Sequence, residues 1–454
     1  MTDTGKTATA GKSATFSAFL FLAIFSYFWV GLNPFPDPNA ASLSTPYGGT
    51  SNILNQLIVI AMSAVVLVTV LQNPARHLLL RPHGLLICLL VWLLFTGVFA
   101  GDPSAAFRRI VFAILVCLCA NAVLLIPRDD EQFAKLMCIG LTFTVGLSYF
   151  GVIALPHLAI HQPTDALEQS LAGDWRGHFG HKNVAAAAMV YTVFFGFYIA
   201  KAGHARFGVL IALSAGFFVL HAGGKTSAAM LPAILLLAWI FERWTKLGVV
   251  MLVGGLVGLN LTLLTAAVSP SFSSLLASAG IDPTFTDRGS IWRLALSSIA
   301  ERPIIGYGFQ SFWQTDALFN SGQAMTTWAV TAANSHNGYV EQLINGGIPA
   351  LAMVIIWLVI LPIGYARRAL AGSNHIALTR LFLRIWLFSL FLACLESPFF
   401  GNSGPIWFTM LIAIFGLRLQ ANAGLVVSVP SSPALKANPV PASLVDATAL
   451  GKTR

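Results

Sequence analysis

Three groups of polar residues interrupt an otherwise apolar chain, and their types and spacing suit the handling of a charged, oxygen-rich substrate. In the first, Arg176, His178, His181, Lys182 and Asn183 crowd into the string RGHFGHKN, directly before an apolar run. A helix starting there would offer free N–H groups and a positive dipole end to an anion such as phosphate. Arg176 would add a two-pronged guanidinium contact and Lys182 a point charge. The plainer alternative is an interfacial loop whose basic residues touch lipid headgroups. In the second group, Asp287, Arg288, Arg293, Glu301 and Arg302 share one short segment. Arginines on one short helix can grip a diphosphate in an apolar setting, where charge interactions are strong. The alternative is pairing within the helix, Asp287 with Arg288 or Arg293 and Glu301 with Arg302, which stabilises little. The third group is NSHNGYVEQLINGG, residues 334–347. His336 is the residue type suited to general-base work at neutral pH, and Asn337 and Glu341 lie one helical turn apart to hold or orient it. Otherwise it is an amphipathic filler at a membrane interface.

These groups need elements to hold them, and the chain supplies apolar runs. A bilayer core of about 30 Å takes roughly 20 mostly apolar residues per helix. Twelve such spans are expected near 16–32, 53–71, 84–100, 107–126, 134–155, 183–200, 207–222, 226–241, 247–268, 340–364, 380–396 and 404–420. The expected organisation is a cytoplasmic tail over 1–15, spans one to nine over 16–268, a long periplasmic loop over 269–338, spans ten to twelve over 339–420, and a disordered cytoplasmic tail over 421–454. Within the long loop, Asp287 can cap a helix whose apolar positions Ile291, Leu294, Ala295 and Ile299 recur at helical spacing until Pro303, after which Gly306, Tyr307 and Gly308 make a turn. That amphipathic helix would lie across the outer mouth of the bundle.

Composition sets the frame. Of 454 residues only 9% are charged and 56% are hydrophobic, with a mean hydropathy of +0.77. So few charges cannot cover a water-facing surface, so a soluble enzyme is excluded in favour of an all-α polytopic membrane protein. With the N-terminus inside, 18 of the 26 Lys and Arg residues fall on the cytoplasmic side, as orientation by positive charge requires. The basic balance is therefore ordinary topology rather than a sign of nucleic acid. The minority on the other face, Arg108, Arg109, Arg176, Lys182, Lys225, Arg288, Arg293 and Arg302, needs another reason. Cys88, Cys117, Cys119, Cys138 and Cys394 all fall in apolar runs without metal spacing. Phosphate-loop, zinc-protease, nucleophile-elbow and Asp-x-Asp motifs are missing. Acidic residues avoid the span centres, Glu242 and Glu396 lying at span ends, which weighs against an ion-coupled transporter.

The strings RGHFGHKNVAAAA, DRGSIWRLALSSIAERPIIGYGFQSF and NSHNGYVEQLINGGIPAL, in this order across about twelve spans, resemble the O-antigen ligase and O-antigen polymerase superfamily. The Phe-Gly-His-Lys-Asn form of the first is most similar to exopolysaccharide production polymerases, many relatives having Pro at the position of Lys182. The resemblance implies a glycosyltransferase of the bacterial inner membrane, its active site facing the periplasm, acting on undecaprenyl-diphosphate-linked oligosaccharide with neither a nucleotide nor a metal cofactor. Polymerases pass the glycan to the next lipid-linked repeat unit, and ligases pass it to a lipid A core sugar. A flippase or exporter of lipid-linked glycan is the lesser alternative. Arg176 and Arg288 match family arginines that bind the diphosphate, and His336 matches the catalytic histidine. Lys182, Asn183, His181, Arg293, Asn337 and Glu341 are expected to line the substrate site. Implied partners are membrane lipid and other assembly proteins such as a chain-length regulator and a flippase.

Overall fold

In hydrocarbon each backbone N–H and C=O must find its partner within its own segment, so apolar runs become helices. The computed structural model describes residues 4–37, 39, 53–72, 76–79, 83–165, 169–285, 287–320, 327–372, 375–401 and 404–422. Regular structure in them is helical apart from an isolated antiparallel bridge between Ile160 and Trp175. The order is α1 (Thr4–Trp29), α2 (Ile53–Leu71), α3 (Arg76–Leu79), α4 (Gly84–Gly97), α5 (Pro103–Val123), α6 (Asp130–Ala154) and α7 (Pro156–Ala159). Then come α8 (Lys182–Lys201), α9 (Ala205–His221), α10 (Lys225–Arg243), α11 (Thr245–Val268), α12 (Pro270–Ser278), α13 (Arg288–Glu301) and α14 (Asp316–Phe319). The chain closes with α15 (Gly338–Ile355), a π-helical turn (Ile356–Ile360), α16 (Leu361–Gly372), α17 (Ile376–Leu392) and α18 (Pro405–Asn422).

Among the described residues, seven helices are long and apolar enough to cross a membrane: α2, α5, α6, α8, α10, α11 and the run from α15 through α16. The other five expected spans coincide with helices that are shorter or less apolar, namely α1, α4, α9, α17 and α18. α1 begins at Thr4, inside the stretch expected to be a tail, and most of the expected C-terminal tail, 423–454, lies outside the described residues.

Burial divides the helices by role. α8 is buried along nearly its whole length, although it is not the most apolar segment. Its Ala185–Ala188 run and Gly196 let neighbours approach closely, and a Cβ on Gly208 of α9 would lie 2.3 Å from the backbone N of Ala200. Small residues at such crossings allow close van der Waals packing where lipid gives no hydrophobic drive. α11 is the reverse, with Val250, Val257 and Leu261 exposed. A helix that is apolar all round and exposed belongs against lipid.

The segment 269–338 carries its own small core. Ile291, Leu294 and Ala295 of α13 are buried with Phe312, Trp313, Val330 and Ile344, and Ile299 is partly buried against them. The helical spacing foreseen for α13 is thus realised. Its start differs from expectation: Asp287 has left-handed backbone (φ 64°) and its side chain makes no capping bond. Capping needs an extended residue that aims its oxygen at the first free N–H groups, and this conformation does not supply it. Trp292 is fully buried and its indole donates to Ser335 O at 2.9 Å, which fastens α13 to the chain just before His336.

The Gly306–Gly308 turn has a structural task. α15 is broken at Gly346 and Gly347, the latter at φ 69° and ψ −166°. Three bonds tie down the break: Tyr307 N donates to Ile344 O (2.7 Å), Ile348 N to Pro303 O (2.8 Å) and Trp92 Nε1 to Gly346 O (2.7 Å). A helix break inside a bundle is tolerated only when neighbours satisfy the freed groups in this way. A Cβ on Gly347 would stand 2.0 Å from Ile304 O. Gly347→Ala is therefore expected to cost at least ~2 kcal/mol and to lower the melting temperature in detergent. Gly216→Ala, where nothing lies within 4 Å, should leave it close to wild type.

Candidate functional site

The carboxylate of Glu396, just past the end of α17, collects the chemistry. Oε1 accepts from Arg288 Nη2 at 2.7 Å and from Asn183 Nδ2 at 2.9 Å. Oε2 lies 3.2 Å from His336 Nδ1. Arg288 Nη1 also donates to Leu395 O. Four distant stretches therefore meet: the start of α8, the start of α13, the loop before α15 and the loop after α17. The side chains are partly sheltered, Arg288 15%, Glu396 22% and His336 31% exposed. Burial pushes the Glu396 carboxyl up, but the His336 hydrogen bond and the Arg288 charge outweigh it and hold the group below the usual glutamate range.

His336 is placed by its backbone. It sits at φ 48°, a left-handed conformation uncommon for residues other than glycine. Asn334 Oδ1 accepts from His336 N at 2.9 Å. On the other side, Asn337 Oδ1 caps α15 by accepting from Tyr339 N (3.0 Å) and Val340 N (3.1 Å). Asn337 Nδ2 donates to Asn260 Oδ1 (2.8 Å) and Cys394 O (3.0 Å), and Gly338 N donates to Ala393 O (2.7 Å). The loops carrying His336 and Glu396 are laced together backbone to backbone, which over-determines the strained residue. With Nδ1 at the carboxylate, the described residues make no hydrogen bond to Nε2.

The other expected site residues fall into three places. Glu341 does not orient His336: its buried Oε2 accepts from Ser335 N (2.8 Å) and Trp313 Nε1 (3.1 Å), supporting the loop from behind. The helical spacing that pairs Asn337 with Glu341 holds, but His336 lies outside the helix, and its carboxylate comes from another segment. His181 caps α8, its Nδ1 accepting from Asn183 N at 3.1 Å. Lys182 is paired with Asp174 at 2.5 Å, so its charge is already engaged. Arg176 is fully buried in the loop before α8, with Nη1 donating to Gly180 O at 3.4 Å. His178 is structural: burial drives it down to about 4, and the neutral ring bridges Ser148 Oγ (2.8 Å) and Trp29 O (3.0 Å). Arg293 is directed elsewhere, donating to Ala267 O (2.9 Å) at the end of α11 and to Ser290 Oγ (3.0 Å). The pairing foreseen between Glu301 and Arg302 does not form: Glu301 accepts from Tyr307 Oη at 3.1 Å, and Arg302 stacks over the Tyr307 ring.

Glu396 is the residue that sequence reasoning passed over as a site member. One signal was available: it is the sole acidic residue between Glu341 and Asp446. Among the described residues, no group of three or more His, Cys, Asp and Glu is arranged to hold a metal ion.

Residues 207–355, from α9 through α15, match the family model of the O-antigen ligases (Wzy_C). Arg288, Arg293, His336, Asn337 and Glu341 lie inside the matched stretch, whereas Arg176, Asn183 and Glu396 lie outside it. No curated protein matches the chain.

Because the Glu396 carboxyl is held down in the folded protein, its contribution to stability is present above the ordinary glutamate range and is lost as pH falls through it. Wild type should therefore melt above Glu396→Gln near neutrality, with the gap closing below about pH 4. Melting curves of both in detergent across pH check this, and a gap that does not change with pH would count against the ion pair.

Proposed function

We propose that this protein is an inner-membrane glycosyltransferase that joins undecaprenyl-diphosphate-linked repeat units into a polysaccharide, with twelve spans and the Glu396 cluster at the periplasmic face. The observation that carries it is one carboxylate holding a guanidinium and an imidazole together, at 2.7 and 3.2 Å. The match of residues 207–355 to the O-antigen ligases supports it.

In this mechanism Arg288 meets the donor's diphosphate. A guanidinium has five N–H donors, and only two of the Arg288 nitrogens are engaged, by Glu396 and the Leu395 carbonyl. The remaining donors take phosphate oxygens, and Arg176 adds a further positive charge from the loop leading into α8. His336 Nε2 accepts the proton of an acceptor sugar hydroxyl as its oxygen attacks the anomeric carbon. The bond from that carbon to the diphosphate oxygen breaks, and its electron pair leaves on the polyprenyl diphosphate. Attack opposite the leaving group inverts the centre in one displacement. Glu396 keeps the imidazole in the tautomer with its lone pair at Nε2 and stabilises the imidazolium that forms. It also keeps Arg288 and His336 in fixed relation, so acid–base and electrostatic work are positioned by one group.

Ligation to a lipid A core sugar uses the same donor chemistry, and the name of the matched family favours it as the second reading. Purified protein given synthetic undecaprenyl-diphosphate repeat units should form ladders without any lipid A core acceptor; product only when the core is added would establish the ligase instead. In that assay Arg288→Ala should abolish product while the protein still inserts and melts cooperatively. His336→Ala should fall by about 10²–10⁴-fold, and undiminished turnover by it would remove the general base from the scheme.

A further inference from the structure

Arg108 and Arg109 belong to neither the Glu396 cluster nor the cytoplasmic excess. They line a groove of about 460 Å³ between α2 and α5, whose wall is built by Ile60, Val111, Phe112 and Leu115. That volume is in the range of small-molecule sites. Arg108 is exposed, and the hydrogen bond it makes is to Ser104 Oγ at 3.1 Å. Asp102, at the start of α5, accepts from Ala105 N (3.0 Å) and Ser104 Oγ (2.9 Å) through the same oxygen, Oδ1, and its charge is felt by both arginines, leaving this end of the groove with a net positive charge. Beside the groove the α2 surface is apolar and open, with Leu54 and Leu57 exposed. A basic end joined to an apolar wall that opens towards lipid fits an anion carrying a hydrocarbon chain, and fits a free phosphate poorly.

The groove is also wired to the candidate site. Arg109 Nη1 donates to Gln310 O, and Gln310 N donates to Asn345 Oδ1 at 2.9 Å. Three residues on, Trp313 donates to Glu341, which holds Ser335 next to His336. The groove and His336 thus hang on one segment, at the same end of the bundle. Joining two lipid-linked glycans requires both lipids to be bound at once, and Arg288 serves only the donor.

We propose that the α2–α5 groove is a second lipid site that takes the phosphate end of the acceptor, a polyprenyl-diphosphate-linked glycan. Its phosphates lie on Arg108 and Arg109, and the first part of its chain runs against Ile60, Val111, Phe112 and Leu115. The identity of the occupant as acceptor rests on the polymerase reading above; the existence of the groove site does not. Native mass spectrometry of the full-length protein in detergent with undecaprenyl diphosphate tests it. Wild type should bind two equivalents, and Arg108→Ala and Arg288→Ala one each. Two equivalents on Arg108→Ala, or one on wild type, overturn the groove. Loss of phosphatidylglycerol rather than undecaprenyl diphosphate from Arg108→Ala makes it a bulk-lipid site and overturns the acceptor. Two equivalents retained by Arg288→Ala alone would instead sink the donor assignment and leave the groove standing. In turnover, Arg108→Ala should raise KM for the acceptor about tenfold with kcat and the donor KM unchanged; a fall in kcat alone overturns it.

Discussion

A carboxylate drawn largely out of water must be compensated, and the way Glu396 is compensated organises the candidate site of this protein. Its two oxygens accept from Arg288, Asn183 and His336, so the cost of sheltering the charge is met by groups from three other segments. Each of those groups is fixed by a separate local device. Asn183 is fixed because His181 caps α8, Arg288 because α13 is pinned through Trp292 to Ser335, and His336 because Asn334 and Asn337 flank it with side-chain bonds to backbone N–H groups. Removing any one device leaves the carboxylate under-satisfied, so the cluster forms as a unit.

The second constraint is the broken helix. An unbroken α15 would carry its backbone straight through the membrane with nothing for the chain before it to hold. The break at Gly346–Gly347 exposes carbonyls and N–H groups that the Pro303–Tyr307 turn and Trp92 satisfy. Segment 269–338 is thereby docked onto the bundle with its own small core, in place of trailing as a loop. Docking in turn fixes α13 against α11 and α15, which sets Arg288 beside the loop of His336. Strain at His336 is affordable only because loops 334–338 and 393–397 are laced to one another.

Much of this was legible along the chain, because it follows from local rules. Period and length marked the helices, and the apolar spacing of Ile291, Leu294 and Ala295 marked α13 and its buried face. The Gly306–Gly308 turn followed from its glycines. Arg288 and His336 stood out because titratable and charged groups are rare in so apolar a sequence. The roles assigned to Lys182, Arg293 and Glu341 were less legible, since each was inferred from neighbours in sequence while its partner lies elsewhere in the fold: Asp174 for Lys182, the Ala267 carbonyl for Arg293, and Trp313 with the Ser335 backbone for Glu341.

By itself, then, the sequence determined that this is a helical membrane protein with three short polar stretches, two able to meet an anion and one carrying a base, because hydropathy, helical period and scarcity of charge are properties of the chain alone. Only the tertiary structure decided that Glu396, 60 residues beyond His336, is the group that orients it, and that Arg288 shares that carboxylate. A hydrogen bond between side chains on separate helices depends on how those helices cross and on where one of them breaks. Neither is written in the spacing of residues along a single segment.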